Sequence, residues 1–198
     1  MNAVADLLDR ARVARIRRAL RGGERPQRLG LVLDCSDLRA SSREPLDTTT
    51  GYRVAAGLVG DVLRWCEEWE IAHLSVHVVT AGVLRRGQGA QVGYARGLVE
   101  AVITETVLGH GQHWRLEVAG DLSRMPASTT SALRLAVGRT RGRESDLTVS
   151  LGHPGQRPDA LLTAADLVLT PPTQPGLTER DLAEALLDWS RTEVGRAG

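Results

Sequence analysis

LGLVL at 29–33, running directly into Asp34-Cys35-Ser36-Asp37-Leu38-Arg39-Ala40-Ser41-Ser42-Arg43, is the stretch that decides the fold. A short apolar run closed by a dense polar segment reads as a buried strand ending at a solvent-facing turn. Four further runs read the same way: Leu74–Val79 (LSVHVV), Trp114–Ala119 (WRLEVA), Leu147–Leu151 (LTVSL) and Leu167–Leu169 (LVL). Between them the apolar spacing turns helical. Residues 53–70 place Val54, Leu58, Val62, Trp65 and Trp69 on one side, and 91–108 and 128–137 follow the same period. Thr178, before Glu179 and Asp181, is a cap for a last helix. Strands alternating with helices imply right-handed crossovers, so the expected fold is α/β: a single domain with a mostly parallel central sheet flanked by helices.

Outward from that core, residues 1–24 read as a basic amphipathic N-terminal helix and 25–198 as the α/β domain. Val4, Leu7, Leu8, Ala11 and Ala14, with Ile16 and Leu20, supply the helix's apolar side, and Gly22-Gly23 should end it. Residues 1–28 carry eight Arg against Asp6, Asp9 and Glu24, a surplus of +5 that leaves the rest of the chain at −4. Such a helix docks on the domain or a partner, or makes peripheral contact with an anionic membrane. The whole chain is only +1, which gives no case for nucleic acid. The cysteines, Cys35 and Cys66, suit neither a disulfide framework nor a zinc cluster, and no run approaches a membrane span. The first residues lack the apolar core of a signal peptide, so the expectation is cytoplasmic.

In parallel sheets ligands bind beyond the carboxyl ends of the strands. That rule singles out Asp34, which can hold a cation or accept a proton, and Arg39 and Arg43, whose guanidinium forks suit phosphate. An Asx-type turn in a solvated loop accounts for the same residues. Gly51-Tyr52-Arg53 reads as the next helix start, where free N–H groups and Arg53 favour phosphate. Gly120-Asp121-Leu122-Ser123-Arg124-Met125-Pro126 is the second polar turn: Asp121 and Ser123 cap the following helix, and Arg124 points into an interface or toward phosphate. His77 reads as packed within a strand and Cys66 as inert.

Three stretches carry a resemblance to a known family: LGLVLDCSDLRA at 29–40, GYRVAAGLVGDVLRWCEEWEIAHLSVHVV at 51–79 and WRLEVAGDLSRMP at 114–126. The chain resembles a divergent cis-prenyltransferase of the undecaprenyl diphosphate synthase type. The resemblance implies a parallel-sheet domain, usually dimeric, that joins isopentenyl diphosphate to an allylic diphosphate with Mg2+. It implies that Asp34 holds the metal and the allylic diphosphate, with a homodimer or a related subunit as partner. The family pattern is altered at several positions. Ser36 stands where the family's proton-removing asparagine belongs, Leu38 where its phosphate-binding arginine does, and Arg39 replaces tryptophan. Tyr52 and Ala55 replace a histidine and a glycine. Thr80-Ala81-Gly82-Val83-Leu84 and Asp166-Leu167-Val168-Leu169-Thr170-Pro171-Pro172-Thr173 replace two further motifs. Proline cannot donate a backbone N–H to phosphate. The expectation is an atypical prenyl-diphosphate enzyme that ionises, cyclises or condenses small allylic substrates in specialised terpenoid metabolism. Its rival is a non-catalytic subunit that supports a catalytic partner.

Overall fold

The structure is a computed structural model and describes residues 3–34, 48–79, 97, 100, 113–120, 122, 126–151, 164–169 and 177–197. In chain order the elements are α1 (Ala3–Ala19), β1 (Arg28–Asp34), α2 (Thr48–Glu68), β2 (His73–Val79), β3 (Trp114–Ala119), α3 (Ala127–Arg139), β4 (Ser145–Leu151), β5 (Leu167–Leu169) and α4 (Glu179–Ala197). All five strands expected from the apolar runs form one sheet in the order β3-β4-β2-β1-β5. Every pairing is parallel. Parallel neighbours cannot be joined by a tight hairpin, and α2 joins β1 to β2 as α3 joins β3 to β4.

Register sorts the strand residues into two rows. Leu29, Leu31 and Leu33 of β1 align with Leu74, Val76 and Val78 of β2, and through β2 with Leu147, Val149 and Leu151 of β4. Leu116 and Val118 of β3 and Leu167 and Leu169 of β5 extend this row. Leu29, Leu31, Leu74, Val76, Leu116, Leu147 and Val149 are buried, and with Val59, Val62, Leu63 and Cys66 of α2 they belong to one continuous core. The alternate row reads Gly30 and Val32, Ser75 and His77, Thr148 and Ser150, and Glu117 and Ala119.

Helix α2 begins at Thr48, earlier than the apolar period at 53–70 indicates. Trp65 and Trp69 are buried as expected, and Leu58 packs on the edge of the core. The side chain of Val54 is outside the described residues. Trp114 is fully buried and donates from Nε1 to Glu67 Oε1 at 3.0 Å, bringing the end of α2 to the start of β3. Of the 91–108 stretch, Gly97 and Glu100 are helical. In α4 the expected cap is present and reciprocal. Asp181 N–H donates to Thr178 Oγ1 at 3.3 Å, while Thr178 N–H donates to Asp181 Oδ2 at 2.8 Å.

Helix α1 corrects the sequence reading of its apolar side. The residues that pack are Val13, Ile16 and Leu20, whereas Val4, Leu7 and Leu8 are exposed. Ion pairs accompany this face. Arg12 meets Glu184 at 2.8 Å, and Arg180 meets Asp9 at 2.9 Å. Arg17 reaches both Glu68 at 2.8 Å and Glu179 at 2.9 Å while lying 4.8 Å from the centre of the Trp69 ring. These contacts join α1 to α2 and α4 beside the buried 13/16/20 stripe. Gly22, at φ 81°, takes the left-handed conformation that follows the helix end.

Candidate functional site

The carboxyl ends of the strands are stepped, with β1 and β2 reaching furthest. Asp34 lies opposite Val79, Val78 opposite Leu151, and Ala119 opposite Ser150. Asp34 is therefore the last residue of β1, at the same height as the end of β2, while β4 ends one residue lower and β3 two residues lower. β5 stops lower, its Leu169 opposite Leu31. After Asp34 the chain returns as α2, whose C-terminal end joins the start of β2. A helix of 21 residues is about 30 Å long, so its opposite end, Thr48, belongs to the carboxyl edge. The first four N–H groups, from Thr48 to Gly51, have no partner within the helix and carry the positive end of its dipole. Arg53 falls after them, so the expectation that Gly51-Tyr52-Arg53 opens the helix is corrected by one turn. At this edge α2 offers backbone N–H groups rather than a terminal arginine.

β3 ends at Gly120, whose φ of 112° is a conformation that side chains rarely tolerate, so the polar turn starts with a forced glycine. The helix after it begins at Pro126 as cap, with no side-chain hydrogen bond to the cap. Asp121 and Ser123, expected as caps of α3, lie outside the described residues. The cap is proline, and Thr130 N–H bonds back to the Pro126 carbonyl at 3.0 Å. Arg39, Arg43, Asp121, Ser123 and Arg124 lie outside the described residues, as do the side chains of Asp34 and Arg53.

Two described side chains lie one row below this edge. His77 stands opposite Val32 on one side and Ser150 on the other; it is 6% exposed and Ser150 is 5% exposed. Among the described residues His77 Nδ1 has no hydrogen-bond partner. Burial holds its pKa below the ordinary histidine range, so it is neutral at pH 7. The sequence reading of His77 as a packed strand residue is borne out. Its pairing with Ser150 was invisible in the sequence because register depends on strand order. Cys66 is fully buried in α2 and burial pushes its thiol pKa up, as an inert cysteine requires.

Asp166 has a different role from Asp34. Its Oδ2 accepts the N–H groups of Gln27 at 2.8 Å and Arg28 at 3.0 Å, and its own N–H donates to the Arg28 carbonyl at 2.9 Å. It fastens the amino ends of β1 and β5, at the opposite edge of the sheet. A carboxylate following an apolar strand and one preceding it thus separate into a position beside the ligand edge and a scaffold clamp. No group of three or more His, Cys, Asp or Glu that could hold a metal occurs among the described residues. Asp34, at the end of a strand, fits a magnesium ion that takes one or two carboxylates and completes its shell with phosphate oxygens and water. No helix among the described residues is long and apolar enough to cross a membrane.

Comparison with known proteins identifies this architecture. Residues 34–168 match the prenyltransferase family described as "Putative undecaprenyl diphosphate synthase". Isoprenyl transferase 2 of Streptomyces coelicolor is 31% identical over 152 residues, covering 76% of this chain and 58% of that protein. Isoprenyl transferase of Streptomyces fradiae is 30% identical over 185 residues, covering 92% of this chain and 71% of that protein. The chain therefore spans somewhat over half to about seven tenths of these relatives. The crystal structure of lavandulyl diphosphate synthase from Lavandula x intermedia with dimethylallyl diphosphate superposes with a TM-score of 0.62. That superposition has 14% sequence identity and covers 83% of this chain and 95% of that one. It is a likeness of fold. The matched residues begin at Asp34 and run into β5, taking in the strand ends just described, and the chain belongs to the cis-prenyltransferase, undecaprenyl diphosphate synthase-like family.

Proposed function

We propose that the chain is an atypical Mg2+-dependent prenyl-diphosphate enzyme acting on small allylic diphosphates by condensation, cyclisation or ionisation. The observation that carries this reading is the placement of Asp34 as the last residue of β1, level with the end of β2 and just beyond the ends of β3 and β4. In a parallel sheet this is the ligand edge. Asp34 would hold the ion, with the first N–H groups of α2 and the arginines Arg39, Arg43 and Arg53 available to the diphosphate. Bound magnesium supplies neutralisation of the diphosphate charge as the allylic carbon–oxygen bond breaks. Names of relatives support the substrate class: isoprenyl transferases, and a lavandulyl diphosphate synthase holding dimethylallyl diphosphate.

The test is pyrophosphate release from dimethylallyl, geranyl or farnesyl diphosphate with Mg2+, with and without isopentenyl diphosphate. Release that falls at least a hundredfold in Asp34→Ala supports the reading; undiminished release overturns the role of Asp34. A second reading follows from the altered motifs. Leu38 and Pro171-Pro172 remove donors that the family uses for diphosphate, and one charge-assisted donor is worth roughly 1.5–3 kcal/mol. On this reading the chain is a non-catalytic subunit of a homologous pair. Absence of both turnover and calorimetric binding by the chain alone, with turnover restored on mixing with a related subunit, would establish it.

A further inference from the structure

Helix α1 has two apolar stripes, and the fold uses only one. Val13, Ile16 and Leu20 face the core. On the opposite side Val4, Leu8, Ala11, Arg15 and Arg18 recur at helical spacing, flanked by Leu7 and Ala14, and all seven are exposed. Val4, Leu7 and Leu8 are 64%, 67% and 64% exposed, an unusual concentration of aliphatic surface on one turn and a half of helix. The stripe is apolar at its start and basic further on.

The arginines divide the same way. Arg12, Arg17 and Arg25 are held by Glu184, by Glu68 and Glu179, and by Glu70. Arg10, Arg15, Arg18 and Arg21 are exposed and have no ion-pair partner among the described residues. The outer stripe itself contains no carboxylate. A second copy of this face would bring the same unpaired arginines and nothing to neutralise them. A sheet of lipid phosphates supplies both requirements at once, hydrocarbon for the leucines and anions for guanidinium groups.

We propose that the outer face of α1 binds the surface of an anionic membrane, with Val4, Leu7 and Leu8 entering the headgroup boundary and Arg15 and Arg18 meeting phosphates. The contact is peripheral and leaves the ion pairs that dock α1 in place. It does not depend on the chain's catalytic status.

Flotation of the full chain with phosphatidylcholine vesicles, with and without phosphatidylglycerol, tests it. Binding to the anionic vesicles only, weakening as salt is raised, is expected. Leu7→Asp combined with Leu8→Asp should abolish it. Arg15→Gln combined with Arg18→Gln should weaken it by about thirtyfold, from the usual contribution of an arginine at an anionic surface. Both pairs lie on the exposed face, and an unchanged circular dichroism melt will show that folding is intact. Equal binding to neutral vesicles, or full binding by the Asp variant, overturns the proposal. So does an absence of vesicle binding, whether or not a dimer that the Asp variant disrupts takes its place.

Discussion

The two rows of the sheet are built from the same five strands and obey opposite rules. One row is Leu, Val and Trp apart from Ser145 and belongs to the core with α2; the other is Gly30, Val32, Ser75, His77, Thr148 and Ser150, small or polar at nearly every position. Parallel sheets normally carry continuous aliphatic runs because both faces are covered by hydrophobic elements. Here the stability of the fold resides in the first row, and the second tolerates a buried neutral imidazole beside a buried hydroxyl. The row that includes the position of Asp34 is thus the row freed from core duty.

The largest effect should come from breaking the first row. Leu147→Ala, at a fully buried position, should cost about 2–5 kcal/mol in urea unfolding. The adjacent Thr148→Ala, on the other row, should cost well under half of that. Equal costs would erase the distinction. Next in size is Thr140→Val. Thr140 Oγ1 accepts the Leu116 N–H at 3.0 Å and donates to the Ala136 carbonyl at 3.0 Å, so the variant leaves a buried N–H unpaired. A loss of about 1–3 kcal/mol is expected, confined to the β3–α3 edge in hydrogen exchange.

A smaller effect belongs to His77. Its pKa is depressed in the folded state by burial, so the unfolded chain binds the proton more readily. Stability is fully present above the ordinary histidine pKa of about 6.5 and declines as pH falls through that value toward the folded one. His77→Leu should remove that part of the acid sensitivity while changing stability little at pH 8. A pH–stability curve parallel to that of the parent chain would show that His77 is not the group responsible. Smallest of all, Thr178→Ala should cost about 1 kcal/mol through loss of the α4 cap, read as a lower thermal midpoint.

These contrasts bear on what the linear sequence can disclose. Strand positions were legible because a short aliphatic run has few alternative homes, and WRLEVA and LVL match β3 and β5 residue for residue. Helix limits were less so. The Thr48 start of α2 has no apolar signal, since Thr-Thr-Thr resembles a loop until the helix continues through it. In α1 the sequence reading placed Val4, Leu7, Leu8, Ile16 and Leu20 on one apolar side and left out Val13. The fold buries Val13, Ile16 and Leu20, and beside them Arg12 and Arg17 meet Glu184, Glu68 and Glu179 of distant elements, neighbours that periodicity cannot see. For the candidate site, Asp34 was legible as a residue at a strand end. The His77–Ser150 pairing and the scaffold role of Asp166 were not, because each depends on which strands become neighbours.

Cys66 gives these differences a chemical clock. Its sulfur sits inside the core near the C-terminal end of α2, with its thiolate suppressed by burial. A thiol reagent can reach it only when α2 lifts from the sheet. In a Cys35→Ser background, the alkylation rate of Cys66 therefore measures how often the apolar row opens, under native conditions and without denaturant. Ligands or vesicles that tighten α2 will slow that clock, and those that leave it untouched act elsewhere.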